Sequence, residues 1–541
     1  MTRFYQALTF VLLALFSHQK LSSQDYQKLI SEKLHQQSPG GTVLISIGDS
    51  IVYHQSYGKA DIELNIPMHN ENIYRIASLS KQFTAIAILK LYEEKKLSLK
   101  DEITKYISDY PTNGQSITIE HLLSHTSGIK DYVSTVLFDT NVMKQGKTTL
   151  ELIELFKNEP MDFEPGTNYN YSSSGYVLLG YIIEKVSGMS YEKYLESAIF
   201  EPYQLKDTGY DNSQEIVQNR VSGYKGNNGD YKNADFIDMS LPYSAGSLMS
   251  SAEDLFRWNK SLKNHEVVSE EILKKASSPF ILTSGKRGLH GYGWEIGYVQ
   301  DTKAVKHSGR INGFISYALN VPEKDIYVVI LTNSEDVQNA GLTATKLAAM
   351  AMGKPYDWSE INLSVAELES LNGIYRNEYG VEKIIRLEDE SLLFFDRGRT
   401  KNKLVPYAPN GFYIQNTLAT FSVERNNNQM QLIENDTYQI KKWTRIDSNI
   451  KSFKTVKVKF KDLKKYVGTY ELQPNYYFTV FIEDGKLIGQ IENDKKELLP
   501  IDGNKFIAKD VDALLTFNLE NDTVVSLTLD QGRKMVAKKV E

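Results

Sequence analysis

Cysteine is absent from all 541 residues. Its absence removes disulfides, thiolate metal sites, a cysteine nucleophile and a lipidated N-terminal cysteine together. Histidine is scarce, at 9, and no His, Asp and Glu cluster has the spacing of a dedicated metal cage. Basic charge is not in excess. Lys and Arg number 62 against 68 Asp and Glu, a net charge of −6, which leaves no electrostatic footprint for nucleic acid. No apolar run after the N-terminus is long enough to span a bilayer, so no transmembrane span is expected in the mature chain. What remains is an ordinary globular composition, 41% hydrophobic and 24% charged, in a chain long enough for several domains.

The early apolar run is short. Met1-Thr2-Arg3 is followed by ten mostly apolar residues, 7–16, a positive end and a hydrophobic stretch that read as a secretory signal peptide over 1–23. The protein is therefore expected to be exported, periplasmic or secreted in a bacterium. Residues 25–37 have helical periodicity. Residues 42–47 and 51–53 flank Gly48-Asp49, a β-hairpin signal. The middle section reads as helix and loop until strands return at 314–321 and 326–331. A sheet built from both ends of a segment, with helices inserted between, describes an α+β domain over 24–357.

Beyond it the pattern changes. Leu368, Leu371, Gly373, Tyr375 and Leu392 answer to Leu463, Tyr466, Gly468, Tyr470 and Leu487 at a constant offset of 95, and Pro406 and Phe412 to Pro500 and Phe506 at 94. This is an internal repeat of about 90 residues. Its short alternating strands and Asn, Asp and Gly turns predict two small antiparallel β-barrels, 358–448 and 456–541, also offering surfaces for homo-oligomerisation.

Three segments carry chemistry. Ser78-Leu79-Ser80-Lys81 opens a helix apolar all round, so Lys81 falls one turn from the Ser78 hydroxyl and inside the core. Burial disfavours an ammonium and lets Lys81 accept a proton, which makes Ser78 a candidate nucleophile. The same spacing at Ser127/Lys130 and Ser190/Lys193 shows that the motif alone is weak. Tyr171-Ser172-Ser173 precedes a second apolar helix, at 175–183, where a phenol can shuttle protons beside such a pair. An isolated Tyr there is more often a core residue. His307-Ser308-Gly309 lies on a strand edge facing the helices; Gly309 would let substrate approach the backbone, and the N–H of Arg310 would join that of Ser78 in an oxyanion hole. His121 and His125 have the i, i+4 spacing of a zinc helix, but Leu122 stands where a general base would be and no third ligand suggests itself. No metal or other cofactor is expected.

Together, in this order, the segments resemble the active-site set of the penicillin-recognising serine enzymes, Ser-x-x-Lys, Tyr-x-Asn and Lys-Thr-Gly or His-x-Gly. The flanking His121-Leu122-Leu123-Ser124-His125-Thr126-Ser127-Gly128 and Gly175-Tyr176-Val177-Leu178-Leu179-Gly180 are similar as well. That superfamily includes class C β-lactamases, D-alanyl-D-alanine carboxypeptidases, D-aminopeptidases and esterases. The resemblance implies a β-lactamase/transpeptidase-like catalytic domain with lipocalin-like barrels behind it. It implies Ser78 as the acylated residue, Lys81 and Tyr171 as base and acid, and Ser173, His307, Gly309 and Arg310 around a small-molecule or peptide substrate. There are two departures. Ser173 replaces the usual Asn, and His307 the commoner Lys, so weak turnover of β-lactams is expected, as is a preference for small esters and amides such as D-amino-acid peptides.

Overall fold

A computed structural model describes residues 23–540 apart from 32–33, 35–37, 134–141, 213, 227–228, 336–338, 357, 427–428, 451, 475 and 493. The expected signal peptide lies outside the described residues, except for Ser23. The chain divides into two compact units, the first ending at Tyr356.

The first unit is organised on one antiparallel sheet. Its strands are β1 (Gly41–Ile47), β2 (Ser50–Tyr57), β3 (Glu295–Val299), β4 (Thr302–Ile311), β5 (Phe314–Val321) and β6 (Ile326–Thr332), in the order β3-β4-β5-β6-β1-β2. The hairpin near the N-terminus thus pairs with the last strand, Gly41 opposite Thr332. Alternation along the strands feeds two cores. Val43, Ile45, Val328 and Ile330 pack toward α1 (Ser23–Ser31) and α4 (Ala340–Ala351). Leu44, Val329 and Leu331 face the helical insertion. That insertion is built on α2 (Ser80–Glu93) and α3 (Ser173–Ser187). In α2, Phe83, Ala85, Ile86, Ala87, Ile88, Leu89 and Leu91 are fully buried, as expected of a helix without a polar face. Helix α3 starts on the Ser172 side chain, which accepts from Gly175 N–H, and stops at Gly188 with a left-handed φ of 73°.

The second unit contains two closed eight-stranded barrels, one running from Gly373–Asn377 to Ile440–Asp447 and the other from Gly468–Gln473 to Lys534–Lys539. The repeat governs fine detail. Tyr375 and Tyr470 are both fully buried, and each phenol donates to the carbonyl four residues earlier, Leu371 at 2.7 Å and Tyr466 at 2.8 Å. Pro406 pairs with Phe412 and Pro500 with Phe506, each just before a break in register, where a residue lacking an N–H is tolerated. Both barrels are filled by their own apolar side chains. Between them lies a buried charge cluster. Arg386 bridges Glu388 and Asp512 at 2.5 and 3.0 Å, and Lys401 reaches Glu388 at 2.8 Å.

Candidate active site

Ser78 sits in a 3-10 turn, Ala77–Leu79, one step ahead of α2 rather than in its first turn. The turn is strained, because Ala77 has a left-handed φ of 47°, a conformation costing an alanine about 1–3 kcal/mol. Neighbours hold it there. Ser80 Oγ donates to the Ala77 carbonyl at 2.6 Å and accepts from Leu248 N–H at 3.1 Å. Ser316 Oγ on β5 donates to the Ile76 carbonyl at 2.7 Å. The second serine of the motif is therefore a structural clamp pointing away from Ser78.

Lys81 is completely buried. Its Nζ donates to Ser78 Oγ at 3.1 Å, Ser173 Oγ at 3.4 Å and the Ala245 carbonyl at 2.8 Å. Burial brings its pKa down from 10.5 to about 7, while the charge of Asp131 works the other way. Ser173 Oγ thus occupies one of the lysine's three donor directions, through a longer contact than an amide oxygen would make. The Ser173 N–H, first in α3, donates to Asp131 Oδ1 at 2.9 Å.

The Tyr171 ring lies beneath the lysine, its centroid 4.9 Å from Nζ. Its hydroxyl is near enough to Ser78 for that side chain to ease its ionisation, yet it completes no hydrogen bond of good geometry among the described residues. Burial keeps this phenol firmly protonated. Behind it stand three buried histidines, with ring centroids 4.4 Å (His125), 5.6 Å (His290) and 6.0 Å (His307) from that of Tyr171. Their tautomers follow from their partners. Ser172 N–H donates to His125 Nδ1 at 3.1 Å, which leaves the proton on Nε2. His307 Nδ1 donates to the Ser308 carbonyl at 2.6 Å, which leaves a lone pair on Nε2. Burial, aided by the charge on Lys81, pushes the His307 pKa down to about 3. His290, whose Nδ1 lies 2.8 Å from the Tyr169 hydroxyl, is held neutral by the same causes, with His307 adding to them.

Two placements differ from expectation, at His307 and at Gly309. The cleft at Ser78, about 380 Å³, is walled by Asp131, Tyr171, Ser173, Arg310 and Glu335 among others, but His307 is not in its wall. Side chains alternate along β4. Gly309 and the buried His307 face inward, while Ser308 and Arg310 are exposed. Gly309, in turn, leaves room for the protein rather than for substrate. A Cβ there would lie 2.4 Å from the Ile76 carbonyl oxygen and 2.3 Å from Ser316 Oγ, so the glycine lets the nucleophile turn lie flat on β4. His121 belongs to a capping box, its Nδ1 accepting from Thr118 N–H at 3.3 Å. His125 follows the short helix Ile119–Leu123 with a left-handed φ of 59°. No group of acids and histidines able to hold a metal occurs among the described residues.

Beyond Lys306, β4 has no pairing with β3, and the Ser78 turn packs against it at Gly309. Sequence patterning missed Asp131, His125 as a ring beside Tyr171, and His290. Asp131 and His290 lie in loops and carry no periodic or spacing signal, because tertiary packing alone brings them to Lys81, and the i, i+4 spacing of His125 spoke of a metal rather than of Tyr171.

Known proteins resemble this chain in sequence and in fold. The Beta-lactamase family model matches residues 26–351, and a Domain of unknown function (DUF3471) matches 454–539, within the second barrel region. Penicillin-binding protein 4* of Bacillus subtilis (strain 168) is 29% identical over 398 residues, 69% of this chain and 88% of the relative. Protein flp of Staphylococcus aureus (strain N315) is 27% identical over 321 residues, 58% of this chain and 63% of its own length. An octameric penicillin-binding protein homologue from Pyrococcus abyssi superposes with a TM-score of 0.55 at 25% identity, covering 78% of this chain and all of that one. D-amino acid amidase from Ochrobactrum anthropi SV3 shares the fold, with a TM-score of 0.55 at 20% identity over 61% of this chain and 99% of that one. The match over 26–351, on the segment that brings Ser78 and Lys81 together, makes this chain a member of the Beta-lactamase family, within the penicillin-recognising serine hydrolases.

Proposed function

We propose that this protein is an exported hydrolase that forms an acyl-enzyme at Ser78 on amide or ester bonds of small substrates bearing a free amino group, D-amino-acid peptides and amides first. The observation that carries the reading is the Lys81 amine, buried and 3.1 Å from Ser78 Oγ, with a pKa near 7. Neutral Lys81 takes the Ser78 proton as Oγ attacks the carbonyl carbon. The Ser78 and Arg310 N–H groups stabilise the oxyanion. Tyr171, protonated and against the same lysine, hands a proton to the leaving amine or alkoxide and recovers one from Lys81. Water then attacks the acyl carbon, and the same groups work in reverse. Ser173 and Asp131 position Lys81, and His307 supports Tyr171 from behind.

Charge in the cleft favours an amine over a carboxylate clamp. Asp131 and Glu335 line it, Arg310 is its cation, and neutral His307 supplies none. The names of two structural neighbours, a D-amino acid amidase and a D-stereospecific amidohydrolase, fit this choice. The long Ser173–Lys81 contact, 3.4 Å, favours a second reading: a low-turnover penicillin-binding or wall-sensing protein whose acyl-enzyme persists. The layout is read as a leader at 1–23, the hydrolase at 24–357 and barrels at 358–448 and 456–541, the barrels offering surfaces for self-association. A panel of D- and L-aminoacyl p-nitroanilides, p-nitrophenyl esters and nitrocefin tests the proposal. It expects hydrolysis of D-aminoacyl anilides or esters with little of nitrocefin. Nitrocefin kcat/KM above that of every ester and anilide would overturn the substrate choice, and a burst without turnover would favour the second reading.

A further inference from the structure

Behind α2, on the same face of the sheet as His307, lies another cavity of about 350 Å³. Its walls are apolar, with Leu262, Trp294, Val305 and Tyr327, all buried. Lys303 and Val305 line it from β4 two residues apart, hence from one face of the strand. The volume falls within the range of small-ligand sites.

Its polar groups share one unmet need. Lys303 is half-buried, and neither it nor Lys274 on the same wall contacts a carboxylate among the described residues. Three acids line it: Asp325 is taken by Lys263 at 2.5 Å, Glu323 acts on Lys303 only at a distance, and Glu270 forms no ion pair with Lys274 or Lys303 among the described residues. Burial and the like charges of Arg287 and Lys274 disfavour the Lys303 ammonium, a cost that an anion would offset. Gln82, the residue after Lys81, is 3% exposed and also lines the cavity. Its Oε1 accepts from the Trp258 indole at 3.1 Å, while its Nε2 is buried without a partner among the described residues. A buried amide donor and an unpaired cation beside apolar walls call for an acceptor carrying negative charge on an apolar body.

We propose that this cavity is a second binding site, separate from the cleft at Ser78, for a small carboxylic acid with an apolar body. Isothermal titration of the full-length protein with 4-phenylbutyrate and the neutral 4-phenylbutan-1-ol tests it without reference to catalysis. The acid should bind saturably and more tightly than the alcohol. K303M should weaken the acid about tenfold or more and leave the alcohol unchanged, and K303R should retain the acid. R310A, in the cleft, should not affect either probe. Absence of saturable binding, equal affinity for acid and alcohol, or unchanged acid affinity in K303M would overturn the site. Loss of the acid in R310A would move it to the cleft and overturn it equally. Should K303M fail to fold, the exposed Lys274 decides: K274M is expected to narrow the acid-over-alcohol preference, and an unchanged preference would contradict the proposal.

Discussion

A buried amine is useful only when it is neutral, and at Lys81 the balance lies near physiological pH. Burial lowers its pKa to about 7, and Asp131 keeps it from falling further. Acylation should therefore rise with pH through about 7 and then level off, because the unprotonated amine is the base. His307, at about 3, is already neutral and contributes no limb there. Stability follows the same group with its own sign. Unfolded Lys81 keeps its proton up to about 10.5, so the cost of burying it is full below about 7 and is relieved as pH rises between the two. D131N removes the anion that favours the ammonium. It should shift the acylation limb to lower pH by about half a unit to one unit while the fold persists; an unmoved or alkaline-shifted limb would remove Asp131 from this role.

At the level of elements, catalytic geometry depends on how closely the Ala77–Leu79 turn lies on β4. G309A places a methyl against the Ile76 carbonyl and Ser316 Oγ. The expected result is a loss of about 1–3 kcal/mol of stability and acylation slowed at least about tenfold, read by thermal unfolding and single-turnover labelling. A fully active G309A would mean that the turn tolerates displacement. This glycine shows what patterning can and cannot deliver. Ser78, Lys81 and Tyr171 were legible because their segments, each beginning or preceding an apolar helix and weak when taken singly, together resemble a known active-site set. Gly309 was legible as a position but not as a reason, since the Ile76 carbonyl that it accommodates lies more than two hundred residues away in sequence. Asp131 and His290 had no local signal at all. The barrels were legible because the repeat carries buried Tyr375 and Tyr470 and the breaks after Pro406 and Pro500 at matched positions.

Across the whole molecule, the first unit holds the proposed chemistry and the second is stabilised differently. Its two barrels, each with a filled core, are joined by ions rather than by apolar contact alone. Lys401 is buried with Glu388, and it also donates to the Ala508 carbonyl at 3.3 Å. K401M leaves Glu388 and Asp512 to share Arg386, and should cost about 3 kcal/mol, seen in urea unfolding followed at Trp443, which is buried in the first barrel. An unchanged midpoint would mean that water already compensates these charges. The most direct test of the whole scheme is mass spectrometry of the protein quenched during turnover of a D-aminoacyl ester. The mechanism predicts an acyl adduct on the peptide containing Ser78, absent in S78A and present in S80A. An adduct on another residue, or undiminished turnover by S78A, would contradict it.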